Sequence, residues 1–180
     1  QRRSFADIDA ASIGIDYKHE RDPHLDPSQV DLRFQMIQYA FGGVSAIDYN
    51  GDHRPDLFFA DGSRSRLYRN EGERRFTDVT EASGLDGIGQ ASMGLFGDMD
   101  NDGDEDLVVV RHMAPLLFFD NLGDGTFADS SEAMEFDFEG PFVSACLLDY
   151  DRDGYLDLYL GAYGNAMEEI PRIFFFATNR

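Results

Sequence analysis

The sequence is short of positive charge. Its 180 residues hold 15 Lys and Arg against 35 Asp and Glu, a formal net charge of −20. Nucleic-acid phosphates need a basic surface, so that class of partner is excluded. An acidic soluble protein or a carrier of cations remains. Cysteine is limited to Cys146. One thiol forms no internal disulfide and leaves the compartment unread. It sits in the apolar run FVSACLLD with no base beside it, so a buried structural thiol is expected. No run approaches the roughly 18 apolar residues of a membrane span. No signal peptide is visible, and Gln1 as first residue points to a processed form or a fragment. N-x-S/T sequons are absent, so N-glycosylation is not expected.

Catalytic signatures are missing as well. There is no Gly-rich phosphate loop, no G-x-S-x-G and no H-E-x-x-H. His19, His24, His53 and His112 have no ligand spacing. Glu168 and Glu169 are an acidic pair of the kind glycosidases use, but nothing marks them beyond a loop setting. Phe174, Phe175 and Phe176 read as core or interface strand rather than a sugar platform. The expectation is a protein without enzymatic activity.

What the sequence does have is crowded carboxylates. DMDNDGDED, Asp98 to Asp106, puts six acidic side chains in nine residues, and LVVV follows at once. The crowding recurs as DYNGDHRPD from Asp48 and DYDRDGYLD from Asp149, at intervals of 50 and 51 residues. A fixed period of this size marks a repeat architecture. Other features keep phase. GGVSAID, SMGLFGD and FVSACLLD precede the loops; LFFA, LVVV and LYLG follow them. Then come RLYRN and LLFFDN, turns EGERRF and LGDGTF, and short runs FTDVT and FADSS. Each unit reads as four short strands joined by tight turns, and the runs without polar alternation suggest strands covered on both faces. Four strands per period of about 50 residues fit propeller blades.

The predicted fold is therefore all-β, with about three four-stranded blades. Residues 41–90, 91–140 and an incomplete 141–180 form the blades, with 17–40 as a connecting segment. In that segment, Asp31 to Tyr39 alternates as a further strand would, though a short helix stays open. IFFFATN, residues 173–179, corresponds to LYRN, and no F-x-D-V run follows it. Such a run, SFADID, lies within residues 1–16 and is expected as a closing strand for the third blade. Closure would be within a longer propeller or between copies, head to tail.

Within each loop, positions 1, 3, 5 and 9 carry oxygen side chains. They are Asp48, Asn50, Asp52 and Asp56; Asp98, Asp100, Asp102 and Asp106; and Asp149, Asp151, Asp153 and Asp157. Position 7 varies (Arg54, Asp104, Tyr155), as expected where only the backbone carbonyl is offered. Hard oxygen donors in this number suit calcium better than magnesium, and the lack of His or Cys ligands disfavours zinc. An EF-hand is excluded because position 12 is Phe59, Val109 or Leu160, within a strand, instead of Glu. Two unit charges 4 Å apart cost about 1 kcal/mol in water and about 4 kcal/mol at an effective dielectric of 20. A divalent ion reverses that term and couples binding to folding. Up to three Ca²⁺ are expected. The first site is expected to be the weakest, or empty, with Asn50 at position 3 and His53, in a left-handed conformation, where glycine is expected.

DMDNDGDEDL with LLFFDNLGDGTFADS, and DYNGDHRPDL with RLYRNEGERRFTDVT, resemble FG-GAP/VCBS repeats, the blades of integrin-α-type calcium-binding propellers. The nearest flavour is the cartilage-acidic-protein (ASPIC/UnbV-type) group, whose start SFADIDAASIGIDYKH also resembles; it echoes RFTDVTEASGL. The resemblance implies an extracellular, secreted or surface protein with structural, adhesive or self-assembling work, and no reaction. It also leaves open a ligand-binding propeller fragment with a protein or glycan partner. His53 departs from the pattern, and three loops fall short of the about seven blades, roughly 350 residues, that close such a ring.

Overall fold

A computed structural model describes residues 6–20, 42–112, 114–134, 139–162 and 174–176. Its strands form three antiparallel sheets. The first contains β1 (Gly43–Ile47), β2 (Asp56–Ala60), β3 (Arg66–Asn70) and β4 (Phe76–Asp78) in that order. The second contains β5 (Ala91–Gly97), β6 (Asp106–Arg111), β7 (Leu117–Asn121) and β8 (Phe127–Asp129). The third pairs β9 (Phe142–Leu148) with β10 (Asp157–Ala162) and β10 with β11 (Phe174–Phe176). These are propeller-type blades, and the elements fall where the repeated runs place them. The expected strand or helix over 31–39, His24, Glu168 and Glu169 lie outside the described residues.

Alternation along each strand decides how blades stack. Phe58 and Ala60 of β2 point to the second blade, where Phe58 meets Phe96 edge-on with ring centroids 5.8 Å apart. Leu107 and Val109 of β6 point back into the same cluster. Val108 and Val110 point the other way, against Leu158 and Leu160 of β10. All four side chains of Leu107 to Val110 are 0% exposed. The middle blade therefore fulfils the expectation of a strand covered on both faces. β2 and β10 alternate buried and half-buried residues, because described elements cover one face of each more fully than the other.

Cys146 overturns an expectation. It is exposed, not buried. On β9, Ala145 and Leu147 turn toward the second blade, so Cys146 turns away from it. Its counterpart on β5, Leu95, is covered by the third blade. An apolar run reports a strand, but not which of its faces has a neighbour.

The echo between the start of the chain and RFTDVTEASGL is structural. Asp9 caps a 3-10 turn over Ala10–Ile13, closed by Gly14 at φ 88°. A Cβ on Gly14 would run into the Phe76 carbonyl of β4; one on Gly84 would lie 2.8 Å from the Phe127 carbonyl of β8. The same turn thus sits on the outer strand of the next blade in both places. Beyond it, Tyr17 stacks on Phe59 at 4.6 Å, and buried Asp61 accepts hydrogen bonds from the Tyr17 hydroxyl (2.6 Å) and the Glu20 amide (3.2 Å), with His19 Nδ1 at 2.7 Å. Of the expected closing strand, Ser4 and Phe5 lie outside the described residues, and 6–9 carry no strand within the single chain.

Gly94 marks the tightest blade contact. An added Cβ would lie 2.6 Å from the Phe58 ring and 3.2 Å from Leu107. Gly94→Ala is expected to cost about 1–3 kcal/mol as overpacking, read as a lower urea midpoint.

Candidate metal centres

Each loop bridges the first and second strands of its blade, and each builds the same net of amides. The position-1 carboxylate accepts from the position-6 amide: Asp48 from His53 (2.8 Å), Asp98 from Gly103 (3.1 Å) and Asp149 from Gly154 (3.2 Å). The position-3 oxygen accepts from the position-5 amide: Asn50 from Asp52, Asp100 from Asp102 and Asp151 from Asp153. The position-5 carboxylate accepts from the position-7 amide, those of Arg54, Asp104 and Tyr155. Such Asx bonds hold carboxylates in place before any ion arrives.

Left-handed residues turn the backbone around this net. Position 6 is His53, Gly103 and Gly154 at φ 63°, 102° and 93°. His53 thus adopts the conformation expected of it. Position 4 is left-handed as well: Gly51, Asn101 and Arg152 lie at φ 63–70°. The sequence reading missed this, because three such different residues share no signature.

In the second loop Asp98, Asp100 and Asp102 bring one carboxylate oxygen each to within 4.8 Å of one another. In the third, Asp149, Asp151 and Asp153 do the same. No lysine or arginine bridges either trio among the described ion pairs. Three converging hard oxygen donors fit calcium.

The position-9 carboxylates stand apart from these trios. Asp56, Asp106 and Asp157 are buried. Asp106 Oδ1 accepts from the Asn121 amide and Oδ2 from the Met99 amide, both at 2.9 Å. Asp157 Oδ2 accepts from the Tyr150 amide at 2.8 Å. Asp56 Oδ1 accepts from the Asn70 amide at 2.7 Å, while its Oδ2 is left without a full hydrogen bond. Burial pushes the carboxyls of Asp56 and Asp106 up to about 6, against the opposing pull of the Asn70 and Asn121 amides. Asn70 and Asn121 are supports the sequence reading did not single out. Asn70 Nδ2 donates to the Pro55 carbonyl, and Asn121 Nδ2 to the carbonyls of Glu105 and, on the neighbouring blade, Tyr49. The shared Asn that ends RLYRN and LLFFDN was the available signal.

The FG-GAP-like repeat model matches this chain twice, over residues 48–109 and 98–160. The chain belongs to the FG-GAP-like repeat family. Each match runs from one acidic loop into the strands after the next, so the FG-GAP unit and the structural period coincide. Comparison with curated proteins gives no match. Among solved structures, a mutant Photorhabdus luminescens Tc holotoxin pore is similar, with 20% identity and a TM-score of 0.42. The similarity covers 67% of this chain and 6% of that one. No described helix is long and apolar enough to cross a membrane.

Two outcomes follow from the loop geometry. His53→Gly relieves a left-handed non-glycine residue and is expected to stabilise by about 1 kcal/mol, measured by chemical unfolding. The second concerns pH. Folding raises the carboxyls of Asp56 and Asp106 above the ordinary value near 4, so the native state binds more protons between about pH 4 and 6. Their contribution is present below about pH 4 and is lost as pH rises through about 6. In chelator, the urea midpoint should fall more from about pH 4.5 to 7 in the natural chain than in Asp106→Asn. The difference between the two cancels the opposing contribution of buried His112, whose pKa burial lowers. Equal slopes would contradict the assignment.

Proposed function

We propose that this FG-GAP-like chain is an extracellular calcium-binding repeat protein whose role is structural or adhesive. Calcium rigidifies the strand-connecting loops so that blades stack, and the chain carries out no reaction of its own. The observation that supports this is the pair of carboxylate trios, each drawn within 4.8 Å. Like charges so close oppose folding unless a cation offsets them. An ion shared by Asp98, Asp100 and Asp102, and a second by Asp149, Asp151 and Asp153, would turn that repulsion into attraction. Within the family, the run FFDNLGDGTFADS fits the cartilage-acidic-protein flavour best.

Self-association is a second reading, favoured by one observation. The third sheet has three strands among the described residues, and the start of the chain repeats the turn that follows a fourth strand. The SFADID run of one copy would then add to the edge strand of another. Sedimentation velocity with and without residues 1–9 tests this: a calcium-dependent oligomer lost on truncation supports it, and an unchanged monomer rejects it.

For the metal, thermal unfolding during calcium titration is the direct test. Each occupied site adds about 2.7 kcal/mol at a hundredfold excess over Kd, so the midpoint should rise by several degrees per site. Asp100→Ala and Asp151→Ala should each remove part of the rise. A midpoint indifferent to both calcium and chelator would sink the proposal.

A further inference from the structure

The first loop matches the other two in backbone and departs from them in charge. Its position-4 and position-6 residues are left-handed like their counterparts, and Asp48, Asn50 and Asp52 make the same amide bonds. Yet Asn50 removes one carboxylate, and no carboxylate trio forms there among the described residues. The nine residues hold three aspartates and Arg54; the second loop holds five aspartates and Glu105 with no basic residue.

Arg54 stands at position 7, where the other loops have Asp104 and Tyr155. Its amide donates to Asp52 Oδ1 at 2.9 Å and its guanidinium to Asp52 Oδ2 at 2.5 Å. Both oxygens of the position-5 carboxylate are thereby taken by one residue. The guanidinium Nε also donates to the Asn70 carbonyl at 2.9 Å. Asn70 supplies the amide that holds Asp56, so Arg54 ties the loop to β3 beside its buried anchor. His53 adds a titratable nitrogen 3.6 Å from Asp48 Oδ2.

We propose that Arg54 is the built-in cation of the first loop, which connects its strands without a divalent ion, so the chain takes up two ions and not three. This rests on the calcium reading of the second and third loops for its count, but not for the role of Arg54. A guanidinium is a permanent planar cation, and its fork matches a carboxylate. It does locally what an ion does in the other loops: it neutralises Asp52 and pins the loop to the neighbouring strand. The feature that would draw an ion here is the buried Oδ2 of Asp56, which lacks a full hydrogen bond. Vacating the guanidinium tests whether that oxygen and its neighbours then recruit one.

Equilibrium dialysis with calcium, on the whole chain, is expected to give two ions for the natural sequence. Asn50→Asp combined with Arg54→Gln should give three. Three ions on the natural sequence would overturn the proposal, as would a double variant that stays at two. Arg54→Gln alone, unfolded by urea in excess chelator, should raise the unfolding equilibrium constant by about fivefold, the scale of a well-formed partly exposed ion pair. No change in chelator would also overturn it. Should the natural sequence bind no calcium at all, the reading of the second and third loops fails. A loss of stability in Arg54→Gln under chelator would still uphold the first loop as self-neutralised.

Discussion

Each blade is tied together by a carboxylate buried where its second strand begins. A charge taken out of water is costly unless hydrogen bonds replace the water. Asp106 meets that demand with the Met99 amide from its own loop and the Asn121 amide from β7. Loop, second strand and third strand are thereby fixed to one side chain. Asp56 makes the third-strand tie through the Asn70 amide, and Asp157 the loop tie through the Tyr150 amide. The position-9 aspartate is a structural anchor, and the carboxylates drawn together in the second and third loops are those at positions 1, 3 and 5. Both groups accept backbone amides; they differ in burial, with the position-9 carboxylates inside and the trios nearer solvent.

Connections between blades run through the same parts. Asn121 bonds the carbonyl of Tyr49 in the preceding blade's loop, and Asn101 Nδ2 donates to the Gly154 carbonyl of the third loop. Ser45 on β1 donates to the Gly94 carbonyl on β5. The loops are therefore linked along the stack by hydrogen bonds. In a repeat array, stability is a sum of unit and neighbour terms, and these links belong to the neighbour term.

Much of this was legible in the sequence because a repeat imposes the same burial on the same position in each unit. The strands fell within a residue or two of the apolar runs. His53 announced its left-handed backbone by standing where Gly103 and Gly154 stand. What stayed hidden depends on neighbours or on backbone alone. Cys146 is exposed although its run is apolar, because a run does not say which face is covered. Arg152 is left-handed with nothing in its chemistry to show it. Arg54 read as a bare carbonyl donor; only the fold brings its guanidinium onto Asp52 and Asn70. Asp61 gave no hint that it would gather Tyr17, His19 and Glu20, some forty residues away in sequence.

The distribution of charge answers why DMDNDGDED stands directly before LVVV. The loop with the most carboxylates belongs to the middle blade, whose second strand is covered on both faces. Each fully buried Leu or Val contributes roughly 1.5–3 kcal/mol. Four in a row contribute on the same scale as several carboxylate pairs at about 1–4 kcal/mol each. The first loop is followed by a strand that alternates buried and half-buried residues, and it carries its own arginine. The most heavily charged loop precedes the most deeply packed strand, and the first loop, before a shallower strand, carries fewer carboxylates. The sequence adjacency of acidic loop and apolar strand is thus an energetic pairing: the strand holds the blade together against the repulsion in the loop before it.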